Sequence, residues 1–166
     1  MLESELRKTP GCAGDDARGG TFSYEDVRLK VRAANCREAI QRAADVLIDE
    51  GKITQRYVEE MYEAFDTYGP YFVLAPGMAF AHAKPSESVL ATGLSLITLD
   101  QPVRFGSEAN DPVFLVCVIA SRSNREHLQQ LRKIVSFLGK TEAVAGLRTA
   151  AGERAVHAIV DALNDC

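Results

Sequence analysis

The unbroken apolar run from Val113 to Ala120 offers no polar side chain to water. A strand alternates its side chains between two faces, so such a run is satisfied only where both faces of a sheet are covered. It is too short to cross a bilayer, which takes roughly 20 residues. The run therefore predicts a central strand with helices packed on either side, and the flanking sequence supplies them.

Upstream, Val27, Leu29 and Val31 alternate with Arg28, Lys30 and Arg32, the period-two pattern of a half-buried strand. Asn35 and Glu38 have the spacing of an N-cap and its third residue, and Ala39, Ile40, Ala43, Val46 and Leu47 continue as a helical stripe up to Gly51. Thr54 opens a second helix with Val58, Met61, Tyr62 and Phe65 on one face, ended by Gly69 and Pro70. Tyr71 to Ala75 reads as a short strand, Pro76-Gly77 as a turn, and Met78 to Ala81 as another strand. Val89 to Leu99 reads as a long strand broken by Asp100, Gln101 and Pro102. Beyond the central run, Ser123 and Glu126 again have capping-box spacing. Leu128, Leu131, Ile134, Val135 and Leu138 form a helical stripe closed by Gly139, and Thr141 and Glu153 start two further helices. The expected architecture is α/β: a three-layer sandwich with a mixed sheet flanked by helices.

At 166 residues the chain has the length of one domain. Residues 1 to about 22 are punctuated by Pro10, Gly11, Gly14, Gly19 and Gly20, and Asp15, Asp16 and Arg18 leave little to bury. They read as a disordered tail ahead of a domain spanning 23–166. The N-terminus has no apolar stretch of signal-peptide length, and no direct membrane insertion is expected. A formal charge of −4 argues against nucleic acid as the main partner. Cys12, Cys36, Cys117 and Cys166 lack zinc-ligand spacing among themselves and with histidine, so no metal site is expected. Free thiols in a reducing cytoplasm are the expected state, with Cys117 packing as a small hydrophobe.

The three histidines differ in context. His157 sits in an amphipathic helix and reads as a surface or boundary residue. His82 ends an apolar stretch after a Pro-Gly turn, where a side chain is held by buried neighbours yet faces solvent. There it is either a structural cap or a nucleophile, since imidazole has one unprotonated nitrogen near neutral pH. His127 lies in the first turn of the helix that follows the central strand. Free N–H groups and the macrodipole favour an anion at a helix start. A strand-turn-helix also places that start at the sheet edge where α/β folds tend to bind ligands. Ser121, Ser123 and Asn124 line the turn, with Ser123 the N-cap candidate and a small anion pocket the functional alternative. Arg122, Arg125, Arg132 and Lys133 form a loose basic set nearby. The adjacent pairs Glu59-Glu60 and Asp15-Asp16 point different ways and read as solvated.

No phosphate loop of the G-x-x-x-x-G-K-[ST] type, no G-x-G-x-x-G fingerprint and no G-x-S-x-G elbow occurs. A nucleotide kinase, a nicotinamide dehydrogenase and an α/β-hydrolase each lose their usual signal.

The stretch from Gly69 to Pro85, with Pro76-Gly77 ahead of His82, resembles the active-site segment of enzyme IIA proteins of the sugar phosphotransferase system. The likeness is to the mannitol/fructose superfamily, and within it to the ascorbate-type branch. Thr92 to Leu99, Phe105, Asn110 to Val113 and Glu126-His127-Leu128 agree in order and spacing, so the resemblance covers about residues 26 to 163. Ala81 stands where the family pattern Pro-Gly-x-Ala-x-Pro-His has proline.

The resemblance implies a sheet of about five strands and a phosphotransferase without cofactor. His82 would take a phosphoryl group from the phosphocarrier HPr and pass it to a cysteine of an enzyme IIB partner. His127 would match the family's second active-site histidine. The membrane IIC component would be served indirectly, and the sugar would be phosphorylated during uptake. Mannitol-type members also use an arginine from the preceding helix region; here Lys84 is the candidate for that positive charge, with Ser121 and Ser123 as further phosphate-binding candidates. Met78 and Phe80 are candidates either for a partner-docking patch or for core. The alternative is a regulatory module of the same family that controls partner proteins through its phosphorylation state.

Overall fold

A computed structural model describes residues 22–165. The tail expected over residues 1 to about 22 falls, except for Phe22, outside the described residues. Phe22 is itself buried, and its backbone exchanges two hydrogen bonds with the Asn164 amide, N–H to Oδ1 at 2.8 Å and Nδ2 to its carbonyl at 2.9 Å.

The described residues form a mixed sheet of strands β1 (Val27–Val31), β2 (Met78–Ala81), β3 (Gly93–Val103) and β4 (Val113–Ala120), in the order β1-β3-β4-β2. β1 is parallel to β3, β3 antiparallel to β4, and β2 parallel to β4. Every residue of β4 is buried, as its sequence requires. Helices α1 (Cys36–Asp49) and α2 (Gln55–Tyr68) enclose one core with Ile97, Val116 and Val118. Helices α3 (Asn124–Leu138), α4 (Thr141–Thr149) and α5 (Glu153–Asn164) enclose a second with Leu96, Leu115, Cys117 and Ile119. The even and odd positions of the central strands thus feed different cores, which is the three-layer arrangement expected of an apolar run.

The capping spacings are used as expected. Asn35 Oδ1 accepts from Glu38 N–H at 2.9 Å, and Ser123 Oγ accepts from Glu126 N–H at 3.2 Å. The Glu38 and Glu126 carboxylates reach one residue further back, to the N–H of Ala34 and of Arg122. At the β2 turn Gly77 has φ +76°, and a Cβ there would lie 2.7 Å from the Phe114 ring, so the turn requires glycine.

Two strand expectations are corrected. The sheet has four strands among the described residues, not about five, because Tyr71 to Ala75 folds into turns. The Tyr71 and Val73 N–H groups bond back to the Gly69 and Pro70 carbonyls, at 2.8 and 3.1 Å, which removes them from any ladder. Apolar content there reflects burial of Phe72 and Val73 in the first core and not strand pairing. The long strand begins at Gly93 and not at Val89, since the N–H groups of Leu90 and Ala91 are taken by the Lys52 carbonyl. It also continues through Asp100, Gln101 and Pro102 to Val103. A register shift between Thr98 and Val103 accommodates these exposed residues, and a bulge tolerates a proline that lacks an N–H.

Candidate active site

β2 and β4 are parallel, so both deliver their C-terminal ends to one rim of the sheet, with the turn into α3 beside them. His82 is the first residue past β2, and His127 lies in the first turn of α3. Their rings stand 5.0 Å apart between centroids at 44°, and both residues are half-buried. His157 is remote from this pair in role: it stacks on Tyr24, with centroids 3.9 Å apart.

The local backbone decides which His82 nitrogen is available. Its Nδ1 lies 2.8 Å from the Phe80 carbonyl oxygen. A carbonyl only accepts, so Nδ1 carries a proton, and in the neutral ring it is Nε2 that keeps the lone pair. The ring is held edge-on by Tyr71, with centroids 5.4 Å apart, and the Tyr71 hydroxyl donates to the His82 carbonyl at 2.8 Å. Burial first, and the neighbouring His82 second, hold His127 below the ordinary histidine pKa. His127 is therefore neutral near pH 7 and still offers one N–H donor.

Both imidazoles open into a cavity of about 600 Å³. Lys84 and Asn124 line it beside them, and α2 contributes Glu60, Glu63, Thr67 and Tyr68. The wall from α2 thus presents carboxylates and no arginine. Arg56, at the start of that helix, is paired with Glu59 and Glu63 at 3.2 and 3.1 Å. Glu60, expected to be solvated, accepts from the Ser86 and Ser88 hydroxyls at 2.8 and 2.9 Å.

Of the residues singled out from sequence, the fold brings His82, His127 and Lys84 to one cavity. It does not bring Ser121 there: this residue is buried, and its hydroxyl donates to Gln130 Oε1 at 2.6 Å. The Ser123 hydroxyl caps α3, and the residue is not among those lining the cavity. Met78 and Phe80 are buried in the second core, so neither forms a docking patch on the surface. Exposed apolar side chains near the histidines are instead Leu128 and Tyr68. Tyr71 escaped sequence reasoning because it sits in a stretch that reads as a strand. The α2 wall escaped because its polar face looks like any solvated helix face, although Glu60, Glu63, Ala64, Thr67 and Tyr68 keep helical spacing.

Residues 21–162 match the family described as phosphoenolpyruvate-dependent sugar phosphotransferase system, EIIA 2. The chain belongs to this family. It is an EIIA component of a sugar phosphotransferase system, and such components are phosphotransferases. The ascorbate-specific EIIA component of Shigella boydii is 33% identical over 148 residues, 89% of this chain and 96% of that protein. The crystal structure of mannitol IIA from Escherichia coli matches with a TM-score of 0.74 at 27% identity, over 84% of this chain and 99% of that one. A complex of enzyme IIAMtl with phosphorylated enzyme IIBMtl from Escherichia coli matches with a TM-score of 0.74 at 26% identity, over 85% and 97%. Among the described residues of this EIIA chain, no helix is long and apolar enough to cross a membrane.

Proposed function

We propose that this EIIA chain carries the phosphoryl group on His82 Nε2, with His127 as the group that stabilises its charge. The carrying observation is the His82 ring itself: Nδ1 tied to the Phe80 carbonyl at 2.8 Å, and the second imidazole 5.0 Å away in the same open cavity. The Nε2 lone pair attacks phosphorus on phospho-HPr; the N–P bond to His82 forms as the donor's N–P bond breaks and the HPr imidazole leaves. A IIB cysteine thiolate then attacks the same phosphorus, an S–P bond forms, and His82 is released neutral. Such transfer has a loose transition state, so positioning and charge stabilisation do most of the work. His127 N–H, the start of α3 and Lys84 face the phosphoryl oxygens, whereas Ser121 and Ser123 serve structure through the bonds described above.

The partners are HPr and a IIB component, with a membrane IIC component reached only through IIB, and the chain works in the cytoplasm. The IIB assignment is supported by the mannitol-type complex, and an ascorbate-type substrate by the named relatives. The test is incubation with phosphoenolpyruvate, enzyme I and HPr. One acid-labile phosphate per chain is expected, absent in His82→Ala. Normal labelling of His82→Ala would overturn the assignment. Onward transfer to a IIB cysteine separates transport from the regulatory alternative.

A further inference from the structure

Tyr57 lies fully buried in the first turns of α2. It donates to the Ile119 carbonyl at 2.7 Å and accepts from the Ala83 N–H at 3.0 Å. The Ala83 carbonyl is farther, at 3.3 Å, so the single hydroxyl proton goes to Ile119. The parallel register of β2 and β4 runs from Met78↔Leu115 to Ala81↔Val118 and stops there. Carried on in that register, the next ladder bond would join the Ala83 N–H to the Ile119 carbonyl directly. The Tyr57 hydroxyl occupies that place. One side chain from a helix is spliced into the sheet where the ladder ends.

The consequence falls on His82, between the last paired residue and the spliced one. Its carbonyl accepts from the Tyr71 hydroxyl and its Nδ1 donates to the Phe80 carbonyl, so the residue is held on both sides although it lies beyond the last paired position of the ladder. A directly zipped Ala83–Ile119 pair would draw the two strand ends together and move the His82 ring relative to α3, which carries His127. Burial also keeps the Tyr57 phenol protonated by pushing its pKa well up.

We infer that Tyr57 is a positioning residue for phosphoryl transfer: its buried hydroxyl, inserted between Ala83 and Ile119, holds the β2 end open so that His82 Nε2 faces His127. This rests on the reading of His82 as the phosphoryl acceptor. Tyr57→Phe keeps the ring and removes only the splice. It should slow phosphorylation by phospho-HPr about 10- to 100-fold at saturating donor, with the donor KM unchanged, since small misplacements of reacting atoms have effects of this size.

Ile40→Ala, a buried change in the same core, is the control for lost stability. It should lower Tm at least as far while keeping the wild-type rate. Nitrogen-15 spectra of the His82 ring in Tyr57→Phe, taken without any phosphate donor, should show a changed environment relative to wild type. Hydrogen exchange on the wild-type protein should find the Ala83 amide protected although it lies beyond the strand. A wild-type rate in Tyr57→Phe, an equal rate loss in Ile40→Ala, unchanged His82 ring signals or an unprotected Ala83 amide would each overturn the inference. Phosphate labelling of His82→Ala would instead defeat the acceptor assignment, while the ring spectra and the exchange data would still decide the role of Tyr57.

Discussion

One rim of the sheet carries two polar clusters, and they have been built in opposite ways. At the β2–β4 side, His82 and His127 face an open cavity, with His82 Nδ1 tied to a backbone carbonyl and His127 held below the ordinary histidine pKa by burial. At the β1–β3 side, Asp26, Glu50 and Lys52 are gathered where β1 begins and α1 ends. Asp26 is 2% exposed, and Lys52 Nζ lies 2.6 Å from Glu50 and 3.7 Å from Asp26. Asp26 Oδ1 and Glu50 Oε1 are buried with no hydrogen-bond donor of their own. Burial first, and the hydrogen bond to Glu50 second, push the Asp26 carboxyl up to about 7, so a proton held between the carboxyls supplies what is missing. Burial also acts to raise Glu50, but hydrogen bonds from Asp26 and Lys52 outweigh it and hold it below the usual range. The closed cluster satisfies its charges internally and has nothing left to offer a partner. The open one keeps a donor and a lone pair unspent, which is what a transfer site needs.

The sharpest test of that contrast is His127→Ala. It should lower the rate of phosphoryl transfer to His82 about 100-fold, the loss expected for one donor aimed at developing charge, while thermal unfolding shows Tm within a degree or two of wild type. A large Tm loss would place His127 with the structural cluster.

Gln130 joins the two sides. It is buried, donating to the Gly93 carbonyl at 2.8 Å and accepting from Ser121 at 2.6 Å, and it lies one turn after His127. Gln130→Leu leaves both partners orphaned, and denaturant unfolding should show a loss of about 1–3 kcal/mol.

Asp26→Asn addresses the closed side. The folded chain holds the Asp26 proton more tightly than the unfolded chain, so this contribution is present below the ordinary carboxylate range and is lost as pH rises through about 7. Wild-type stability should therefore fall between pH 5 and pH 8 relative to Asp26→Asn, by about 2–3 kcal/mol, in parallel denaturant titrations. Lys52, and toward Glu50 also Arg28, are the positive charges facing this pair. Phosphoryl transfer at pH 7 should be unaffected, and a change in it would couple the two clusters.

The smallest effect is expected for Lys84→Ala. Lys84 is exposed, and screening limits what an exposed charge contributes, so transfer should slow only several-fold, and less at high salt.

Much of the architecture is legible in local pattern. The Val113–Ala120 run, the capping residues Asn35 and Ser123, and the alternation at Val27, Leu29 and Val31 each specify an element through contacts within a few residues. Tyr71 to Ala75 misleads because burial and strand propensity look alike in a short apolar segment. His82 and His127 stand out because each sits at the end of an element, where pattern changes. Ser121 stands out for the same reason, yet its hydroxyl turns inward to Gln130, a partner on a later helix.

The chain by itself determined which segments are strands and helices in the main, because periodicity, caps and turns are short-range physics. It also marked out both imidazoles. Only the tertiary structure decided that their rings stand 5.0 Å apart, that Nδ1 of His82 is the protonated nitrogen, and that Tyr57 reaches across to splice the ladder. The Tyr57 bonds join residues 26 and 62 positions apart in sequence, and the Nδ1 contact, though it spans only two residues, depends on the ring rotamer that the packing of Tyr71 selects; no local pattern encodes either.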